Sequence, residues 1–303
     1  MSHLVTVFPP AGRLRRSLLS RDQTLLILAA VNEIFLGVDT YLAHGANLTI
    51  RLNEWIPIVF GPVAGVCLLL AGLLALRRRS LAALLATGIF IASIIVGVLG
   101  VFFHLEQGLL PDAPSGHRVS ISLLVWAPPV LGPMVFPLIG VLGISAAWVE
   151  EPPESGLLRV FGRRLQLPYP KTQAYFYIVG MASLATVISS VLDHARLNFA
   201  DPWLWLPTSA GVFGTVTAVT LAAIDRPTRA DLLTYTGAML LLMVVGGIGA
   251  ILHVRANLTA EGVVVMERFL RGAPVLAPLL FANVGLLGLL VLLDPAEPAT
   301  NPS

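Results

Sequence analysis

Read for polarity alone, the chain alternates between long apolar stretches and short polar ones. Apolar runs of about 20 residues, enough to cross a bilayer at about 1.5 Å per residue, occur near 24–44, 54–76, 80–104, 121–148, 172–195, 203–224, 232–254 and 271–293. Within each run the apolar positions are continuous, not alternating, which predicts helices and argues against barrel strands. The expected fold class is therefore an all-α polytopic integral membrane protein with eight transmembrane helices. The polar remainder divides it into an N-terminal segment 1–23, a first four-helix half 24–149, a linker 150–171, a second four-helix half 172–293 and a tail 294–303.

Composition strengthens this reading. The chain has 303 residues, of which 56% are hydrophobic and only 12% charged. A soluble surface needs about 25% charged residues, so lipid is the expected solvent. Residues 1–23 carry arginines and a proline pair and run into a full-length span, not a short apolar stretch with a cleavage site, which reads against a signal peptide. The single cysteine, Cys67, excludes a disulfide framework and cysteine-rich metal sites. A net charge of +2 gives no footprint for nucleic acid.

Basic residues set the expected orientation. One set of loops holds Arg13, Arg15, Arg16, Arg21, Arg77, Arg78, Arg79, Arg159, Arg163, Arg164, Lys171, Arg226 and Arg229; the other holds only Arg51, Arg118, Arg196, Arg255, Arg268 and Arg271. The protein is thus expected in the inner (plasma) membrane with both termini in the cytoplasm, and the arginine bias fits a prokaryotic source.

Four histidines close the odd-numbered runs, at His44, His104, His194 and His253. His44 to His194 is 150 positions and His104 to His253 is 149; APPVLGP at 127–133 resembles GAPVLAP at 272–278. The chain reads as two tandem halves. Four helices per half keep the halves in the same orientation, with a pseudo-two-fold axis along the membrane normal.

The histidines all fall at the outer face. Four and seven residues before them, on the same helical face, stand Thr40 and Gly37, Gly100 and Gly97, Ser190 and Val187, and Gly249 and Gly246. A carboxamide follows each: Asn47, Gln107, Asn198 and Asn257. Neutral imidazole ligates metals and haem iron, and a smooth stripe below it leaves room for a macrocycle. The pattern predicts one bis-histidine haem b per half, with the carboxamides supporting the ligands, or a metal ion held by all four histidines. The alternative is structural: small residues let membrane helices approach closely, and His, Asn and Gln suit helix C-termini.

This organisation resembles that of haem A synthase, which also has eight helices in two four-helix halves with a histidine pair per half near the outer face. The resemblance covers architecture. In that family the histidines open the even helices within a Glu-x-x-His pattern, whereas here they close the odd ones. The second run begins with RLNEW, which has Glu54 but no histidine after it, and the outer-loop cysteine pair is missing. What it implies is a plan suited to haem, not family membership.

Glu33 lies 11 residues before His44 on the same face, at bilayer depth, where a carboxyl group is expensive and by default functional. It is the candidate for proton or quinone chemistry. Trp55, Trp126, Trp203 and Trp205 suit an aromatic belt, and the prolines of the even runs should kink them. Phosphate loops, HExxH and nucleophile elbows are absent. The functional expectation is a redox-type membrane subunit, served by other membrane or extracytoplasmic redox subunits. Against it stand a cofactor-free scaffold and a small-solute channel or carrier.

Overall fold

The computed structural model describes residues 7, 19–45, 49–126 and 128–295. In chain order its helices are α1 Arg21–Gly45, α2 Trp55–Ala75, α3 Arg79–Gly108, α4 Ile121–Trp126, α5 Val135–Ala147, α6 Lys171–Ala195, α7 Trp205–Ala223, α8 Arg229–Asn257, α9 Met266–Arg271 and α10 Leu276–Val291. Single 3₁₀ turns, Leu52–Glu54 and Pro202–Leu204, lead into α2 and α7. Most of the predicted N-terminal segment and of the tail lies outside the described residues.

The chain is a helical membrane protein. Six helices (α1, α2, α3, α6, α7 and α8) are long and apolar enough to cross a bilayer. Their outward side chains, such as Phe35, Ile95, Val216 and Val244, are more than half exposed, as lipid contact requires. Helix starts are fixed by local chemistry. At α8 the Thr228 hydroxyl accepts from the Asp231 amide at 3.3 Å, while the Asp231 carboxylate accepts from the Thr228 amide at 2.7 Å, a reciprocal capping box.

The two remaining runs differ from the continuous spans expected at 121–148 and 271–293. α5 has 13 residues and α10 has 16, roughly 20 and 24 Å long, short of a hydrocarbon core of about 30 Å. Proline is the reason. Pro128, Pro129 and Pro133 precede α5 and Pro274 precedes α10; a proline lacks the amide hydrogen and crowds the turn before it.

α1 packs on α2, α2 on α3, α3 on α5 and α5 back on α1, closing a ring of four helices. α6, α7, α8 and α10 close a second ring in the same order. The rings meet where α1 packs on α10 and α5 on α6; the short helix α4 leans on α6, and α9 on α1. Each ring has its own buried core, one around Ala30, Phe90 and Phe136 and the other around Phe176, Tyr235 and Met239.

The segment expected to be a plain linker contains an antiparallel sheet, β1 Val149–Glu150, β2 Leu157–Val160 and β3 Arg163–Gln166. Phe161 and Gly162, both at positive φ, form the two-residue turn that joins β2 to β3. The Glu150 carboxylate ties this sheet to α6, accepting from the amides of Gly156 at 2.7 Å and Lys171 at 3.0 Å.

At the same end the two rings are cross-linked. The Lys171 ammonium donates to Asp22 at 2.5 Å and to the Trp148 carbonyl at 2.6 Å. The Arg21 guanidinium donates to the Thr172 hydroxyl at 2.6 Å, and the Tyr175 hydroxyl to Asp22 at 3.0 Å. Residues 21 and 22 thus grip 172 and 171 crosswise. Arg21 is 2% exposed and Lys171 1%.

Candidate functional site

All four histidines fall near the C-terminal ends of their helices: His44 and His194 in the last turns of α1 and α6, His104 and His253 four residues before the ends of α3 and α8. They come together in pairs. His44 and His104 face each other across the first ring, with centroids 6.0 Å apart and planes at 57°. His194 lies within electrostatic reach of His253 in the second. Among the described residues no three His, Cys, Asp or Glu side chains gather closely enough to hold a metal ion, so the four histidines do not share one centre.

The proline-broken segments position two of these rings. His104 Nδ1 lies 2.9 Å from the Pro129 carbonyl and His253 Nδ1 lies 2.8 Å from the Pro274 carbonyl. A carbonyl only accepts, so in each ring Nδ1 carries a hydrogen, which in the neutral imidazole leaves the lone pair on Nε2. Each carbonyl accepts from the amide three positions on, Gly132 at 3.1 Å and Ala277 at 3.3 Å, but the residues four positions on, Pro133 and Pro278, have no amide hydrogen to give it, so its second lone pair is left for the imidazole. Sequence reading noted the prolines but missed this P-x-x-x-P spacing, which is the signal that locates the docking carbonyls.

The other two histidines are held differently. His194 Nδ1 sits 3.4 Å from the Ser190 hydroxyl, and its ring meets Phe199 edge-on at 6.1 Å. His44 Nδ1 is buried without a hydrogen-bond partner. Trp55, Trp126, Trp203 and Trp205 are all exposed, as an aromatic belt would be.

Of the four carboxamides, Asn47 lies outside the described residues. Gln107 is exposed. Asn198 is also exposed and sits at φ +51° just past α6, a left-handed position at which Asn commonly ends a helix. Asn257 alone ties into the histidine site. It is 2% exposed; its side-chain oxygen accepts from the Ala273 amide at 2.9 Å and its nitrogen donates to the Ala273 carbonyl at 2.8 Å. It thereby holds the segment whose next carbonyl grips His253. Asn257→Ala should lower stability by about 1–3 kcal/mol, because two paired backbone groups lose their partner, whereas Gln107→Ala stays within about 0.5 kcal/mol. Thermal unfolding in detergent distinguishes the two.

The stripes of small residues below the histidines are filled. A side-chain carbon on Gly37 would strike the Pro62 ring, and one on Gly97 would strike Pro137 and Phe136. Gly100 and Gly249 face the rings of Pro133 and Pro278, and Gly246 faces the Ala282 backbone and the Pro278 carbonyl. The room expected for a macrocycle is taken by neighbouring helices, so haem b does not fit along these faces. Two imidazoles sharing one ion, with metal–nitrogen bonds of about 2.0–2.1 Å, have ring centres on the order of 5–6 Å apart, a range that includes the 6.0 Å between His44 and His104.

Glu33 sits away from the pairs, roughly 16 Å below His44 along α1. It is completely buried. One carboxyl oxygen lies 2.5 Å from the Ser93 hydroxyl oxygen, which in turn lies 3.1 Å from the Phe136 carbonyl, so the single hydroxyl hydrogen is shared between two acceptors; the other carboxyl oxygen has no partner. In the second ring, Ser183 donates to the Gly211 carbonyl at 3.0 Å near the buried Leu242, and no carboxyl appears there. No protein-family model matches the chain, and neither does any curated protein or solved structure.

Proposed function

We propose that the chain is an eight-crossing inner-membrane protein of two tandem, parallel four-helix halves that holds one transition-metal ion between the histidines of each half, as a redox-type subunit. The observation that carries the metal reading is the pair His44 and His104 at 6.0 Å, together with the carbonyl docking that leaves Nε2 free on His104 and His253. A ligand histidine characteristically donates its other ring hydrogen to such an acceptor, and imidazole suits copper, iron, nickel and zinc.

Eight crossings follow if α5 and α10 are completed by their irregular lead-ins, whose Pro129 and Pro274 carbonyls are partnered by His104 and His253. The tandem reading is supported by the identical order of neighbours in the two rings and by the crosswise grip of residues 21–22 on 171–172, the reciprocity expected about a two-fold axis. The arginine distribution puts both termini inside and the histidines outside, where an extracytoplasmic redox partner could reach them. Glu33 is assigned to proton handling, on its burial and its one unpartnered oxygen.

The test is metal analysis and an absorption spectrum on the same detergent-purified, full-length sample. One transition-metal ion per half is expected, the first lost in His44→Ala/His104→Ala and the second in His194→Ala/His253→Ala. A Soret band lost in those variants would assign haem b and require the rings to open. A colourless, metal-free, folded protein sinks the reading and leaves the cofactor-free scaffold, which the filled glycine stripes favour.

A further inference from the structure

Where the two rings meet, a cleft runs between α1, α5, α6 and α10. Its core measures about 70 Å³, and about 660 Å³ of atom-free space is present once its open mouth is counted. The walls are mostly aliphatic, among them Val135, Ile139, Val284 and Leu287. Two carboxamides interrupt them, Asn32 from α1 and Asn283 from α10. Each lies near the middle of its helix, and thus near the middle of the bilayer.

The Asn32 side-chain nitrogen donates to the Asn283 side-chain oxygen at 3.4 Å, longer than the usual 2.9–3.0 Å. Each amide offers two N–H donors and a carbonyl with two lone pairs. One long bond leaves most of that capacity unspent, at a depth where no bulk water relieves it and each unsatisfied polar group is costly. A mostly aliphatic cleft with a pair of amides in its wall, and the hydroxyl residues Thr186 and Ser189 further along α6, matches a ligand with an apolar body and hydrogen-bonding oxygens.

We propose that this cleft binds a lipid-soluble carbonyl compound, a quinone in chemical class, whose oxygens meet the Asn32 and Asn283 amides while its apolar body lies along the aliphatic walls. The two amides come from different rings, so the site exists only where the halves join. It rests on placement in the membrane and not on the histidines.

The test is calorimetric titration of the full-length protein in detergent with decylubiquinone. Saturable 1:1 binding is expected, with Kd raised about tenfold or more in Asn32→Leu/Asn283→Leu, the loss expected for two hydrogen bonds, and unchanged in His44→Ala/His104→Ala. Ala182→Phe, which narrows the cleft and keeps both amides, should abolish binding even if the leucine variant fails to fold. No saturable binding, equal binding by the leucine variant, or equal competition by dodecane overturns the proposal; the last would make the cleft an acyl-chain crevice. A metal-free protein that still binds the quinone retires the metal reading alone.

Discussion

Asp22→Leu should lower stability by about 3–5 kcal/mol, the loss found when one partner of a buried charge pair is removed. The reason is what it leaves behind. Lys171, 1% exposed, would keep its ammonium with only the Trp148 carbonyl to receive it, and the Tyr175 hydroxyl would lose its acceptor. The second step is more informative. Asp22→Leu/Lys171→Met removes both charges and should recover most of the loss, since a well-packed apolar pair often replaces a buried ion pair at no penalty. Arg21 keeps its bond to Thr172 in both variants. Thermal unfolding of the three proteins in one detergent checks this; a double variant as unstable as the single one would mean that the network works through more than this pair.

That network also shows where the sequence was readable and where it was not. Position 171 ends the polar stretch 150–171, which closes on LPYPK and reads as a linker. In fact Lys171 opens α6 and is buried, because Glu150 and Asp22 are brought to it by the sheet and by α1. Such a partner set spans 149 positions between Asp22 and Lys171, and no local pattern reveals it. The sheet itself was hidden for a related reason: β3 is fully exposed and carries Arg163, Arg164 and Gln166, so it lacks the alternation that marks a half-buried strand.

The membrane helices were legible because burial in lipid demands nothing subtler than a continuous apolar run. Six runs met that expectation. The other two contained the prolines that sequence reading had taken as kinks, and two or three prolines close together end a helix. At the site, the four histidines are legible as the ends of apolar runs. Their acceptors are not, since Pro129 and Pro274 matter through carbonyls whose second lone pair Pro133 and Pro278 cannot fill. The small residues were seen too, but as space; only the helices packed on them show that the space is used.

Gly246 and Gly247 turn that last point into an experiment. The two are neighbours in α8 and should respond with opposite signs. Gly246→Ala places a carbon 2.5 Å from the Ala282 nitrogen and 2.7 Å from the Pro278 carbonyl, both backbone atoms that cannot swing aside. Forcing α8 off α10 should cost about 1–3 kcal/mol, the usual penalty for overpacking, and more for Gly246→Leu. Gly247→Ala meets nothing within 4 Å and gains helix propensity, so it should be neutral or stabilising by up to about 1 kcal/mol. The displacement also carries a site-specific consequence. Pro278 withholds its amide hydrogen from the Pro274 carbonyl, so a shift of α10 in Gly246→Ala should loosen the His253 ring as well. Melting temperatures decide the first claim. The second is read from the imidazole proton resonances of His253, which should broaden or move in Gly246→Ala and stay in place in Gly247→Ala. Equal responses from the two glycines would mean that α8 and α10 are not packed through this stripe, and the room for a macrocycle would be open again.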